Sequence, residues 1–160
     1  MLKERVIRLL GKALWARFDR VTQNPQKAQE DFLLTLVRRN ERTGFGRDHR
    51  FDAVKTVEDY RRQVPVADYE MHRPYVERIK NGDLNALTAQ APFMFTMTSG
   101  TTGEPKLIPV TRRSQRTNSS LTRVWYYRSL LDHPNFLSGK FLGVVSPAVE
   151  GRTRRRPPSL

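Results

Sequence analysis

Apolar residues recur at helical spacing over the first twenty positions. Leu2, Val6, Leu9, Leu10, Ala13, Leu14 and Phe18 share a face, and Lys3, Arg5, Arg8, Lys12 and Arg17 lie off it or at its edge. The pattern predicts a helix over 1–20 with its stripe turned to a core rather than to a membrane surface. Gly11 weakens that helix by about 1 kcal/mol relative to Ala. Asn24-Pro25 breaks the chain and restarts it, because proline is tolerated in a first helical turn. Ala28, Phe32, Leu33, Leu36 and Val37 then predict a second amphipathic helix. It frays through Arg38-Arg39-Asn40, with Gly44 as its stop. Thr43-Gly44-Phe45-Gly46 reads as a loop, and His49 as a solvated residue near it. Thr56 opens a short helix, with Asp59 three residues on as a capping box. Val64-Pro65-Val66 is extended, since proline disfavours helix in the residue before it. Asp68 caps a helix across Tyr69–Lys80, which Pro74 kinks or splits and Asn81-Gly82 stops. His72 on that helix reads as structural, with no second histidine or carboxylate at metal-ligand spacing.

The centre of the chain changes character. Ala91–Met97, around Phe93-Met94-Phe95, predicts a strand. A small polar loop follows, then Leu107-Ile108-Pro109-Val110, and from Arg112 to Leu131 a long helix. Leu121, Val124, Trp125, Arg128 and Leu131 recur on that helix, and His133-Pro134 ends it. The order is strand, polar loop, helix. It places the helix N-terminus near the loop, where its dipole adds to an anion site. Lys140–Ser146 predicts a further strand.

The loop is Thr98-Ser99-Gly100-Thr101-Thr102-Gly103-Glu104-Pro105-Lys106. It has little to bury and many donors to offer. Its two glycines can take φ > 0 and let an anion reach the backbone N–H groups. Three hydroxyls add donors and Lys106 adds a positive charge. That chemistry suits a polyphosphate; a plain turn is the other reading of the same composition. The loop is not a Walker A sequence, because Gly103 is followed by Glu104-Pro105 and Leu107 follows the lysine. It lacks the third glycine of the dinucleotide fingerprint.

Charge is uneven. The net charge is +13 over 160 residues. Residues 1–50 carry 12 basic and 6 acidic side chains, residues 51–110 carry 7 and 8, and residues 111–160 carry 10 and 2. Both ends are basic and the middle is neutral. The arginines are scattered over helical patterns, with no reading helix, RNA-binding aromatic signature or zinc finger, so no specific nucleic-acid partner is expected. There is no cysteine, which excludes a disulfide framework and a zinc–thiolate site and fits a reducing compartment. No apolar run approaches the length of a transmembrane segment, and charges interrupt the N-terminal apolar positions as they do not in a signal peptide. A cytoplasmic location is expected.

The loop matches the Thr/Ser-Ser-Gly-Thr-Thr/Ser-Gly-x-x-Lys loop of acyl-adenylating enzymes. Upstream, Val64-Pro65-Val66, Tyr69-Glu70 and Pro74-Tyr75-Val76-Glu77-Arg78-Ile79-Lys80-Asn81-Gly82-Asp83 resemble one branch of them. Downstream, Lys106-Leu107-Ile108-Pro109 and the run from Phe141 to Gly151 continue the likeness. From Pro25 to Thr153 the chain resembles the auxin-responsive acyl-acid amido synthetases, the Gretchen Hagen three family, in a bacterial-type form.

The resemblance implies an α/β fold: N-terminal helices followed by the first strands and helices of a truncated acyl-adenylating, luciferase-like domain. It implies a ligase that uses ATP and Mg2+. A carboxylic acid attacks the α-phosphate to give an acyl-adenylate and pyrophosphate, and an amino acid's amine then displaces AMP. By the same resemblance Thr98, Ser99, Gly100, Thr101, Thr102, Gly103 and Lys106 hold the ATP phosphates. The helix after the loop helps line the acyl pocket, where Arg123 and Tyr126 are candidates; Trp125 reads as core. No catalytic base and no metal ligand is assigned.

Residues 1–153 are thus expected to be the first part of an acyl-adenylating domain. Residues 154–160, Arg-Arg-Arg-Pro-Pro-Ser-Leu, depart from the family pattern. They read as an out-of-frame or disordered end, or as a native polybasic tail. The chain alone is expected to be inactive, with the family's adenine and ribose contacts lying downstream. Two other readings stay open: an acyl-CoA ligase type of adenylating enzyme, and a non-catalytic basic module for nucleic acid or anionic membrane.

Overall fold

The computed structural model describes residues 2–98, 105–133, 135, 138–140 and 142–144. Its elements run α1 (Leu2–Thr22), α2 (Pro25–Asn40), α3 (Gly44–Asp48), a 3-10 turn (Phe51–Ala53), α4 (Val57–Gln63), α5 (Tyr69–Lys80), β1 (Met94–Met97), β2 (Leu107–Val110) and α6 (Arg112–Asp132). The described part is helix-rich with a small two-stranded sheet. Its described residues divide into two compact units, one of residues 2–28 with those from 116 onward and one of residues 29–115.

The first unit is built on α1 and the body of α6. Gly11 is buried, and a Cβ on it would enter the ring of Tyr127, lying 2.7 Å from Cε2 and closer still to two other ring carbons. The glycine that weakens the helix on propensity is therefore what lets Tyr127 pack. Tyr127 and Leu130 are the buried residues of α6. Trp15 receives the Arg128 guanidinium 5.3 Å above its ring, and Arg128 is held by two hydrogen bonds to Asp132, at 2.9 and 2.8 Å. The face expected from Leu121, Trp125 and Leu131 is not the buried one: Trp125 is 57% exposed and Leu121 55%. The stripe of α1 is likewise only partly covered, with Leu9 72% exposed and Phe18 at 38%. Periodicity finds apolar positions but not which of two apolar faces is packed.

The second unit has a core of Val37, Phe45, Phe51 and Val54. Leu33, Leu34, Tyr60, Val64, Met71, Tyr75 and Leu87 pack around it. Phe45 is the hub, edge-on to Phe51 and Tyr75 and stacked on His72. His49 lies against Phe45 with ring centroids 4.3 Å apart, and its Nδ1 is 3.1 Å from the Gln63 carbonyl, so it is half-buried rather than solvated. On α2 the packed face is Leu33, Leu34 and Val37, which leaves Phe32 and Leu36 exposed.

Gly44 does not stop α2; it begins α3. Thr43 is the reason. Its hydroxyl accepts the Gly46 N–H at 2.9 Å and donates to the Asn40 carbonyl at 2.7 Å. The Gly44 and Phe45 N–H groups, unpaired in a first turn, donate to the Asn85 and Ala86 carbonyls at 3.0 and 2.8 Å. A threonine N-cap with these acceptors outweighs the glycine stop signal.

The capping box of α4 forms as its sequence predicts. The Thr56 hydroxyl accepts the Asp59 N–H, and Asp59 accepts the Lys55 and Thr56 N–H groups. Those backbone bonds and the Thr56 hydroxyl hold the Asp59 carboxyl below its ordinary value. Asp68 caps α5 through the Glu70 N–H at 2.9 Å. The helix runs unbroken through Pro74, so the expected split does not occur. Proline there forfeits its own N–H donor and its ring crowds the Glu70 carbonyl one turn back, a cost the helix bears without ending.

Candidate functional site: the hairpin loop and its base

β1 and β2 form an antiparallel pair in which Met94 faces Val110, Phe95 faces Pro109, Thr96 faces Ile108 and Met97 faces Leu107. The order is therefore strand, loop, strand, helix. The second strand moves the helix. α6 starts at the Val110 end of the hairpin, and the loop lies at the Met97–Leu107 end, about three peptide rises away.

The N-terminus of α6 is also occupied by the chain itself. Thr111 and Ser114 bond to each other through backbone N–H and side-chain oxygens, at 3.0 and 3.1 Å, and the Arg113 N–H donates to Gln90 Oε1 at 2.9 Å. The N–H groups of Thr111, Arg113 and Ser114 at this helix end are therefore taken by side chains of the chain itself.

At the other end the loop is tied shut. The Thr98 N–H donates to the Lys106 carbonyl at 3.0 Å, and the Lys106 N–H donates to the Thr98 hydroxyl oxygen at 3.1 Å. Two of the expected phosphate-holding residues, Thr98 and Lys106, thus meet at the loop's base. The Thr98 oxygen accepts here, which leaves the hydroxyl proton to donate elsewhere. Ser99, Gly100, Thr101, Thr102 and Gly103 lie outside the described residues.

Lys106 is exposed, and its ammonium lies over the Tyr69 ring, 5.7 Å from the centroid. Arg73 lies 5.2 Å from the same ring and donates to Glu70 at 2.7 and 2.8 Å. The Arg73 hydrogen bonds first, against the opposing cost of desolvation, and then the charges of Arg73 and Lys106 hold the Glu70 carboxyl below the ordinary carboxylate value. Tyr69 was visible in the sequence only as part of a resemblance. Its partner lies 38 residues away, so no local spacing signals the contact.

The family-like run Pro74–Asp83 serves the fold. Gly82, at φ 104°, ends α5: its N–H donates to the Ile79 carbonyl and the Asp83 N–H to the Arg78 carbonyl, a paired C-terminal turn. Arg78 donates through Nε and a terminal nitrogen to Asp83 Oδ2 at 3.0 and 2.7 Å, and lies 5.6 Å from the centre of the Tyr75 ring. It also packs on Gly44, where a Cβ would come within 2.8 Å of the guanidinium. The Tyr75 hydroxyl donates to Asp48 at 2.7 Å. Burial, and then that bond and charge, raise the Tyr75 pKa.

The two pocket candidates, Arg123 and Tyr126, belong to the other unit and are exposed on α6. The Tyr126 ring lies 4.9 Å from that of Trp125, which is not the core residue expected. Leu142 and Val144 are 96% and 98% exposed, and residues 142–144 form no strand. Phe141 and 145–160 lie outside the described residues, the basic tail among them. Among the described residues no His, Cys, Asp and Glu cluster is arranged to hold a metal, and no helix is long and apolar enough to cross a membrane.

Comparison with known proteins agrees with the motif. The chain is 34% identical over 93 residues to an indole-3-acetic acid-amido synthetase, GH3.2, of Arabidopsis thaliana, covering 57% of this chain and 17% of that protein. It is 32% identical over 134 residues to the Arabidopsis thaliana indole-3-acetic acid-amido synthetase GH3.15, covering 82% of this chain and 22% of that protein. A probable indole-3-acetic acid-amido synthetase, GH3.13, of Oryza sativa subsp. japonica is 33% identical over 94 residues, 58% of this chain and 17% of its own. The chain spans about a fifth of the length of the curated relatives it matches. The family model described as GH3 family N-terminal domain matches residues 14–158. With that match running through the tied loop and the Pro74–Asp83 turn alike, the chain belongs to the GH3 family.

Proposed function

We propose that this chain carries the ATP-phosphate loop of an acyl-acid–amino-acid ligase, within the first part of an acyl-adenylating domain. The observation that carries the reading is the closed base of the loop. Thr98 and Lys106 meet through two hydrogen bonds, and the residues between them supply glycines and hydroxyls. A loop pinned at its base loses less freedom when an anion orders it, so more of the interaction remains as affinity. The names of the relatives, amido synthetases acting on indole-3-acetic acid, support a carboxylic acid as the group activated.

A carboxylate is a poor acyl donor because its leaving group is oxide. Adenylation replaces that group with AMP. The obstacle in the first half-reaction is like charge, because an anionic nucleophile approaches a polyphosphate and pyrophosphate departs with its negative charge. Fixed N–H and O–H donors and the Lys106 ammonium oppose that charge. Mg2+ bound to the nucleotide would offset part of the same charge.

The test is ATP–pyrophosphate exchange with indole-3-acetate in a ligase completed from this chain by a relative's remaining sequence. Exchange is expected, and Ser99→Ala with Thr101→Ala is expected to reduce it at least about a hundredfold, the range for lost transition-state donors. Exchange unaffected by the double replacement contradicts the reading.

A further inference from the structure

Tyr69 joins α5 to β2, and the way it does so is specific. In an antiparallel ladder, successive residues alternately exchange hydrogen bonds with the partner strand and turn both backbone groups away from it. The bond from the Thr98 N–H to the Lys106 carbonyl puts Lys106 in the first class. Leu107 therefore turns its N–H and C=O to the outer edge of β2. Outward groups of an edge strand need a partner. The Tyr69 hydroxyl meets both. It accepts the Leu107 N–H at 3.1 Å and donates to the Leu107 carbonyl at 3.0 Å. One hydroxyl thus takes the place of a third strand at the residue after the loop's closing lysine.

We propose that Tyr69 is the positioning residue of the phosphate loop; the proposal rests on the phosphate reading above. Its hydroxyl fixes Leu107, its ring carries the Lys106 ammonium, and both act at the point where the loop returns to the sheet. Without the hydroxyl, two backbone groups lose their partner and the end of β2 frays. The loop's base is then ordered at the expense of binding. Tyr69→Phe keeps the ring and the cation over it, and removes only the hydroxyl. Tyr69→Leu removes both.

The experiment is calorimetric titration of the chain with magnesium tripolyphosphate at low salt, paired with amide exchange at Leu107. Tyr69→Phe is expected to weaken binding about fivefold, the equivalent of one net hydrogen bond. Tyr69→Leu weakens it further. Leu107 exchange accelerates in both, while Ile108, whose amide faces β1, stays protected. Faster Leu107 exchange with unchanged tripolyphosphate affinity makes Tyr69 a purely structural tie; the proposal then fails and the phosphate reading stands. An unmutated chain that binds no tripolyphosphate overturns both. Should Tyr69→Phe not fold, the unmutated chain still decides the matter. Saturating tripolyphosphate slows Leu107 exchange if the tie and the loop are coupled, and an unchanged rate overturns the proposal.

Discussion

The two ends of α5 do different work. Its C-terminal end is locked by many contacts of several kinds: a glycine at positive φ, two backbone bonds closing the turn, the Arg78–Asp83 pair, and a guanidinium on a bare Gly44 backbone. The next turn then supplies carbonyls that complete the start of α3. The N-terminal end touches the hairpin through one hydroxyl and one ring. A motif that reads as continuous in the sequence therefore has a part that holds the fold and a part that touches the loop. Losing a contact at the first end should cost stability, and at the second should cost function.

The largest effect is expected at the first end. Gly82→Val places a β-branched residue at φ 104° and should destabilise the chain by about 2 kcal/mol, from the cost of left-handed backbone for such residues. Urea unfolding measures it, and a loss under about 0.5 kcal/mol on the scale of neutral surface changes would break the contrast. Arg78→Ala should cost about 1 kcal/mol. Its ion pair is half-exposed and contributes little alone, so most of the loss is packing on Tyr75 and Gly44. While folded, this variant should bind tripolyphosphate within about twofold of the original, since the loop's base is untouched. A larger drop would mean that the two ends are coupled.

At the second end Tyr69→Phe should change stability by less than about 1 kcal/mol while weakening the anion site. The smallest effect lies away from both ends. Asp59 has its pKa lowered in the folded chain, so its stabilising share is complete above its ordinary value of 3.8 and is lost as pH falls through the lower folded value. Asp59→Ala should flatten that part of the acid-unfolding curve and leave the site alone. An unchanged curve would assign the acid sensitivity to other carboxyls.

Local signals in the sequence were reliable wherever one residue type answers one backbone need. Asp68 at the start of α5, the Thr56–Asp59 box and the Asn24-Pro25 restart, with Asn24 Oδ1 accepting the Lys27 N–H, all stand as expected. Signals failed where a distant partner decides. Gly44 reads as a stop until the Asn85 and Ala86 carbonyls arrive to satisfy the helix it begins. Gly11 reads as a weakness until Tyr127 packs on it. Trp125 reads as core because α6 carries apolar residues on more than one face, and Tyr127 and Leu130 take the buried one. At the site, the loop's composition was legible as anion chemistry. The strand Leu107–Val110 that separates it from α6 was not, because four residues with a central proline carry almost no period-2 signal.

The most direct measurement of the central claim is a nitrogen-15 NMR titration of the unmutated chain with MgATP, using adenosine as the control. Amide shifts are expected at Thr98, Lys106 and Leu107 with MgATP, with little change at Arg113 on the helix end of the hairpin, and none of these with adenosine. Shifts confined to the α6 N-terminus, or the same shifts with adenosine, would contradict that claim.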